Sequence, residues 1–445
     1  MVIMFCSGKD GLIGHMGNCD SFVLRGTVVY SKSPGELACL EDGYAVCLNG
    51  VSQGVYEKLP CEFEALPVKD TEKSLIIPGL IDLHIHAPQY QFRGNGMDME
   101  LLSWLESYTF PEEAKYADLS YAGKAYRLFT DELRKGFTTR ACVFATSHRD
   151  ATLLLMRLFE ESGLVTFVGK VNMDRNVPSY YRESTQGSLA DTEKWLEQVK
   201  TAGFTNTYPI ITPRFTVSCT RELMKGLAEL AKKHSAPVQS HLSENLSEIR
   251  LVKELEPDTA CYAQSYEKAG LLDVSGPVVM AHCVHSGKEE LALLKEKGVF
   301  IAHCPESNTN LCSGAAPASK YLEMGINLSL ATDVAGGSST SMLAAVRNAV
   351  YVSKLRFSLL DDTIPPLTFP QAFYIATKGG GRFFGNAGSF EKGAPFDALV
   401  LEDGRIFTAR EGLSPEERLE RFVYLGDERY IKDKYVSGRR IAGYE

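Results

Sequence analysis

His84 and His86 stand two residues apart at the end of "PGLIDLHIH", residues 78–86, an apolar run that opens after Pro78-Gly79. Leu80, Ile81, Leu83 and Ile85 favour a strand. In a strand, residues i and i+2 point to one side, so both imidazoles enter the same space. Adjoining imidazoles suit a metal, although an isolated His-x-His is more often a pair of ordinary histidines. The rest of the chain decides between these. Arg214 lies in "PIITPRFTV", His241 and Glu244 end "APVQSHLSE", and His282 sits in "VVMAHCV". His303 falls in "VFIAHCP" and Asp333 ends "INLSLATD". Three neutral imidazoles with one carboxylate make the mixed nitrogen–oxygen shell that Zn²⁺ or Fe²⁺ accepts, with a position left for water. Glu244, three residues beyond His241, can carry protons for that water without being a ligand. A lysine bridging a second metal belongs at the end of the fourth run, which reads "TPRFTVS"; Lys170 lies in the third. One metal per chain is expected.

The elements that must position these residues alternate. Eight apolar runs, "LIDLHIH", "TTRACVFAT", "VTFVGKVNM" and the five containing Arg214 to Asp333, are separated by amphipathic segments. Ala122, Tyr126, Phe129 and Leu133 share a helix face. Ser286 and Glu289 form a capping-box pattern before "ELALLKEK", with Gly298 as the stop. Eight strands alternating with helices over about 300 residues is the arithmetic of a (β/α)8 TIM barrel, an α/β fold whose chemistry sits at the C-terminal strand ends. An open doubly wound sheet is the rival, but no Gly-x-Gly-x-x-Gly follows the first run. The two chain ends, with "SFVLRGTVVYS", "YAVCLNGVSQGVYE" and "KSLII" at one and "FDALVLEDG", "RFVYLGD" and "KYVSGRRIAGY" at the other, read as β hairpins without helical periodicity. They are expected to pair into one small β domain. The boundaries expected are 1–78, 79–386 and 387–445.

Composition narrows the class. The 445 residues are 44% hydrophobic and 23% charged, with a formal net charge of −9. That charge, with no basic run, argues against nucleic acid as the main partner. No stretch reads as a membrane span. The N-terminal "MVIMFCSGKDGLIGH" lacks a basic leader. Eleven scattered cysteines, none in a Cys-x-x-Cys pair, suit reduced thiols in a cytoplasm.

"PGLIDLHIH", "SHLSE" and "ATDVAGG" resemble the amidohydrolase superfamily. "HAPQYQF", "WLESYTFP", "TPRFTVSC", "VVMAHCV", "IAHCPESN" and the tail "RFVYLGDERYIKDKYVSG" resemble, in order, the blocks of its guanine deaminases. The resemblance runs from about residue 78 to the end. It implies a barrel carrying a small β-sandwich from both ends, a homodimer, and guanine as a small-molecule substrate hydrolysed to xanthine and ammonia. It makes His84, His86, His241 and Asp333 the ligands of one Zn²⁺, with Fe²⁺ the alternative. His86, Ala87, Pro88, Gln89, Arg214, Phe215, His241 and Glu244 would touch the base. Glu244, His282 and Asp333 would be catalytic. Glu244 would protonate the ring and the leaving amine, Asp333 would take the departing proton, and His282 would hold the developing oxygen.

The metal residues alone do not separate guanine from a pyrimidine, triazine or adenosine-like ring; "HAPQ" and "TPRF" favour guanine. A scaffold that had lost catalysis would lack part of the ligand set, and every ligand type is present. A zinc deaminase of the other fold would need a Pro-Cys-x-x-Cys pair. His303 fits two places, in the site or behind a neighbour. His15, His148, His234 and His285 read as surface or loop residues.

Overall fold

The structure, a computed structural model, describes residues 20–442. The readings of His15 and of the N-terminal leader lie outside those residues. Four strands pair first: β1 (Phe22–Ser33), β2 (Glu36–Leu48), β3 (Val51–Tyr56) and β4 (Val68–Pro78). The middle of the chain then supplies β5 (Leu80–His86), β6 (Thr138–Phe144), β7 (Val165–Gly169), β8 (Val171–Asn172), β9 (Thr207–Pro209), β10 (Thr212–Pro213), β11 (Val238–Leu242), β12 (Val278–His282), β13 (Phe300–His303) and β14 (Asn327–Leu330). The C-terminal end adds β15 (Ala398–Leu401), β16 (Ile431–Val436) and β17 (Arg439–Ala442).

The middle strands are parallel, in the orders β5-β6-β7-β9 and β11-β12-β13-β14, with β8 paired to β10. A parallel bridge between Ile211 and Val238 joins the two groups. Beyond β14 the chain bonds back to β5: Asp333 N–H donates to the His84 carbonyl at 2.9 Å, and His86 N–H to the Val334 carbonyl at 3.1 Å. Helices separate most of these strands. The helix Leu119–Lys135 buries Ala122, Tyr126, Phe129 and Leu133, the face expected from their spacing. The architecture is mixed α/β, consistent with a TIM-barrel-like unit beside a sheet unit.

Two of the eight runs are interrupted. The fourth is extended only at Thr207–Pro209 and Thr212–Pro213, because Pro209 and Pro213 have no N–H to give a ladder. The third breaks at Lys170, whose buried ammonium pairs with Glu183 at 2.7 Å. The capping expectation also needs correcting. The helix Lys288–Glu296 has Gly287 at its N-cap, and no side chain caps it.

The terminal strands form one hydrogen-bonded sheet in the order β17-β16-β15-β4-β1-β2-β3. Gly26 marks a register shift in β1, where an added Cβ would lie 2.2 Å from Thr71 Oγ1. The expectation of hairpins alone fails for "RFVYL", which lies in the helix Pro415–Leu425. Ser414 and Glu417 form its capping box, and Leu419, Phe422 and Val423 bury a helical face. This sheet meets the parallel strands at Gly79, between β4 and β5, where a Cβ would lie 2.2 Å from Thr139 Oγ1. Asp397 accepts from Arg140 Nε at 2.6 Å and from Arg140 Nη2 at 3.0 Å, tying β6 to the C-terminal strands. Lys434 Nζ donates to the carbonyls of Leu133, Arg134, Gly136 and Thr138, which closes the C-terminal end of the helix Leu119–Lys135.

Candidate active site

β5 brings His84 and His86 to its C-terminal end, and β11 brings His241 to the same place. His86 Nε2 lies 3.2 Å from His84 Nε2 and 3.2 Å from His241 Nε2. Asp333, just past β14, has Oδ1 at 3.1 Å from His84 Nε2 and 3.4 Å from His86 Nε2. All four residues are buried. Burial drives the basicity of His84, His86 and His241 down, which favours the neutral rings. His241 Nδ1 lies 2.5 Å from the Arg214 carbonyl and must carry the hydrogen, which leaves a lone pair on Nε2. Imidazole nitrogens that crowd together with lone pairs converging are unfavourable unless a cation sits between them. Tetrahedral coordination at about 2.0–2.1 Å separates ligand atoms by about 3.3–3.4 Å, close to the spacings here. The donor set fits a divalent ion.

Asp82 locks this cluster from behind. Its carboxylate accepts from His84 N–H at 3.2 Å, from Thr332 N–H at 3.2 Å and from Thr332 Oγ1 at 2.5 Å. Burial lifts its pKa to about 6. The backbone turns sharply at the strand ends: Ser243, His282, Cys283 and Asp333 have φ of 47°, 74°, 51° and 49°. Left-handed residues of this kind concentrate at functional sites, where packing over-determines them.

Glu244 is buried, with Oε1 accepting from Ser313 Oγ at 3.1 Å and Oε2 at 3.3 Å from His282 Nε2. Burial, and then the charge of Asp333, raise its pKa to about 8. His282 Nδ1 sits 2.9 Å from Asn308 Oδ1, which sets the plane of the ring.

A narrow pocket opens over these groups. His86, His241, Glu244, His282 and Asp333 line it, together with Gln89, Arg214 and Phe215. Leu101, Trp104, Leu105 and Leu311 complete the wall. Ala87 and Pro88 are buried next to Gln89 in sequence but do not line the pocket. The Pro88 carbonyl instead accepts from the Tyr116 hydroxyl at 2.9 Å. His303 is buried, outside the pocket lining, and its pKa is lowered to about 4 by burial and then by His282. His285 donates from Nε2 to the Ser313 carbonyl at 2.7 Å, and His148 packs against Tyr181. His234 ends the helix Arg221–His234.

The sequence reading passed over Glu113, Asp82, Asn308 and Ser313. Asp82 had a signal, a carboxylate inside an apolar strand. Glu113 had none, since one of two adjacent glutamates in a short helix carries no period. It is fully buried and accepts from Arg214 Nη1 at 2.7 Å and Gln89 Nε2 at 3.1 Å.

Comparison with known proteins agrees with this arrangement. The Amidohydrolase family model matches residues 75–441. Guanine deaminase of Mus musculus is 39% identical, over 95% of this chain and 97% of its own. That of Dictyostelium discoideum is 36% identical over 94% and 98%. The crystal structure of guanine deaminase from C. acetobutylicum, with guanine bound in its active site, superposes with a TM-score of 0.91 at 44% identity, covering 95% of this chain and 100% of that one. An adenosine deaminase from Xanthomonas campestris with bound zinc shares the fold, at a TM-score of 0.80 and 23% identity, over 95% and 92%. The likeness to the guanine deaminases spans both the parallel strands and the terminal sheet, and on that ground the chain belongs to the guanine deaminase family of amidohydrolases.

Proposed function

We propose that the chain hydrolyses guanine to xanthine and ammonia. One observation carries this reading: a single pocket is lined both by members of the imidazole–carboxylate cluster with Glu244 and by Arg214 and Gln89. His84, His86, His241 and Asp333 would hold one divalent ion, with zinc the preferred identity. When bound, such an ion supplies Lewis acidity and an acidified water. The side chains do the rest. Glu244, held protonated near neutral pH by burial, can pass a proton to the purine ring and then to the departing amine. The Asp333 carboxylate can accept the proton released on attack. His282 Nε2 faces Glu244, so a proton shared between them reaches the oxygen that develops on the ring.

Arg214 is a donor only, and its planar fork suits an acceptor. Guanine's exocyclic oxygen meets that need. Adenine would set an amino donor against it, a mismatch that costs far more than a missing methylene. Phe215 borders the same space.

The same reading takes residues 79–386 as a (β/α)8 barrel, and 1–78 with 387–445 as a β-sandwich domain. The return of the chain from β14 to β5 supports the first, and burial of both faces of β1 the second. A homodimer rests on the family resemblance, and a cytoplasmic location on that resemblance and on cysteines scattered through the sequence with no Cys-x-x-Cys pair. Incubating zinc-loaded protein with guanine, adenine, cytosine and an aminotriazine tests the substrate. Ammonia is expected from guanine; release from another ring at an equal or higher rate would overturn the assignment.

A further inference from the structure

Glu113 joins the two residues through which the pocket would read the base. It belongs to the short helix Phe110–Ala114 and is fully buried, and Gln89 and Arg214 are nearly so. One oxygen, Oε2, accepts from Arg214 Nη1 at 2.7 Å and from the Tyr181 hydroxyl at 3.1 Å. The other, Oε1, accepts from Gln89 Nε2 at 3.1 Å. Gln89 Oε1 in turn accepts from Ala335 N–H at 3.1 Å. An amide side chain can ordinarily be turned either way. Here it is bracketed by a carboxylate that only accepts and a backbone N–H that only donates, so its polarity is settled. The nitrogen faces Glu113.

Each partner then has hydrogens left over. Gln89 keeps its second Nε2–H and Arg214 its remaining guanidinium hydrogens, and both residues line the pocket. We propose that Glu113, outside the pocket lining, is a positioning residue that makes this part of the site a donor-only surface and so selects a purine edge bearing an acceptor. The inference rests on the guanine reading above and adds the residue that enforces it. A carboxylate is required because both of its oxygens are used as acceptors. A glutamine at 113 offers one acceptor oxygen in place of two. Set toward Arg214, it turns its own N–H groups on Gln89; set toward Gln89, it turns them on Arg214. Either way one reader of the base loses its anchor.

The experiment measures kcat and KM for guanine on zinc-loaded wild type, Glu113→Gln, Arg214→Ala and the double variant, with zinc content and thermal midpoint for each. Glu113→Gln is expected to keep its zinc and raise KM about 10-fold or more, with a smaller change in kcat. In the Arg214→Ala background the same substitution is expected to raise KM by less than about 3-fold, because the residue through which it chiefly acts is gone. An unchanged KM, or a rise of equal size in both backgrounds, would overturn the positioning role. Tyr181→Phe covers the case in which Glu113→Gln does not fold. It removes one hydrogen bond to Glu113 without touching the pocket wall, and is expected to raise KM about 2- to 5-fold with kcat and zinc unchanged. A fall in kcat with zinc loss would count against the proposal. Wild type turning over guanine while the variants keep its KM refutes the role of Glu113 alone. Wild type with no guanine turnover refutes the substrate reading beneath it.

Discussion

At the scale of single residues, Glu244 separates proton transfer from metal binding. It lies beside His282 and is anchored by Ser313, while the His84, His86 and His241 nitrogens converge on one another. Glu244→Gln keeps the size and the hydrogen bond from Ser313 but cannot release and recover a proton. The variant is expected to retain metal and lose roughly 10²-fold or more in turnover, the scale of general acid–base catalysis. Elemental analysis beside steady-state kinetics checks this; metal lost together with activity would make Glu244 a ligand instead.

At the scale of elements, a few buried ions fasten the terminal sheet to the strands that carry the site. Arg140, on β6, meets Asp397 through two hydrogen bonds, and Asp397 also accepts from Ser437 N–H at 2.8 Å. Both side chains are almost completely buried. Removing one member strands the other, which costs about 3–5 kcal/mol. Asp397→Ala should therefore lower unfolding stability by that amount, read from denaturant melts with the metal present. A loss under about 1 kcal/mol would show that water reaches Arg140 and solvates it. The helix Pro415–Leu425 shows how local signals mislead at this scale. "RFVYL" is β-rich in composition, yet Ser414, Pro415 and Glu417 start a helix, and only that helix turns Leu419, Phe422 and Val423 to one buried side.

Over the whole molecule, bound metal and buried carboxyls govern stability. Three neutral imidazoles and Asp333 crowd together without a proton to share, so a cation bound there stabilises the native state by linkage, about 4 kcal/mol at a thousandfold excess over Kd. Chelation is expected to lower the thermal midpoint, and elemental analysis to return one divalent ion per chain. Two ions, or none after careful reloading, would refute the single-ion site. Glu248 contributes a pH term. Burial, and then the nearby Glu244, raise its pKa from 4.5 to about 7. Between those values the folded chain holds a proton that the unfolded chain has released. Stability therefore falls as pH rises through that window. Its full size is on the order of 3 kcal/mol. Glu248→Gln, which keeps an acceptor for the Glu244 and Asn245 N–H groups, should lose less stability than wild type between pH 5 and pH 8. An equal loss in thermal melts would assign the pH dependence to other groups.

What the sequence by itself determined is the inventory and order of the chemistry. Histidines and carboxylates at the ends of apolar runs are legible because strands alternate strictly and a parallel α/β fold presents its strand ends together. His84, His86, His241, Glu244, His282 and Asp333 are all read that way, and the structure places all but His84 in the lining of one pocket, with His84 Nε2 3.2 Å from His86 Nε2. Tertiary structure alone decided the rest. Glu113 lies 24 residues from Gln89 and 101 from Arg214, and no local periodicity encodes which buried carboxylate a distant arginine will find. Nor does it encode that His282 and Asp333 turn left-handed at the site. Those outcomes depend on which donors and acceptors packing leaves without water, and that is settled only when the strands assemble.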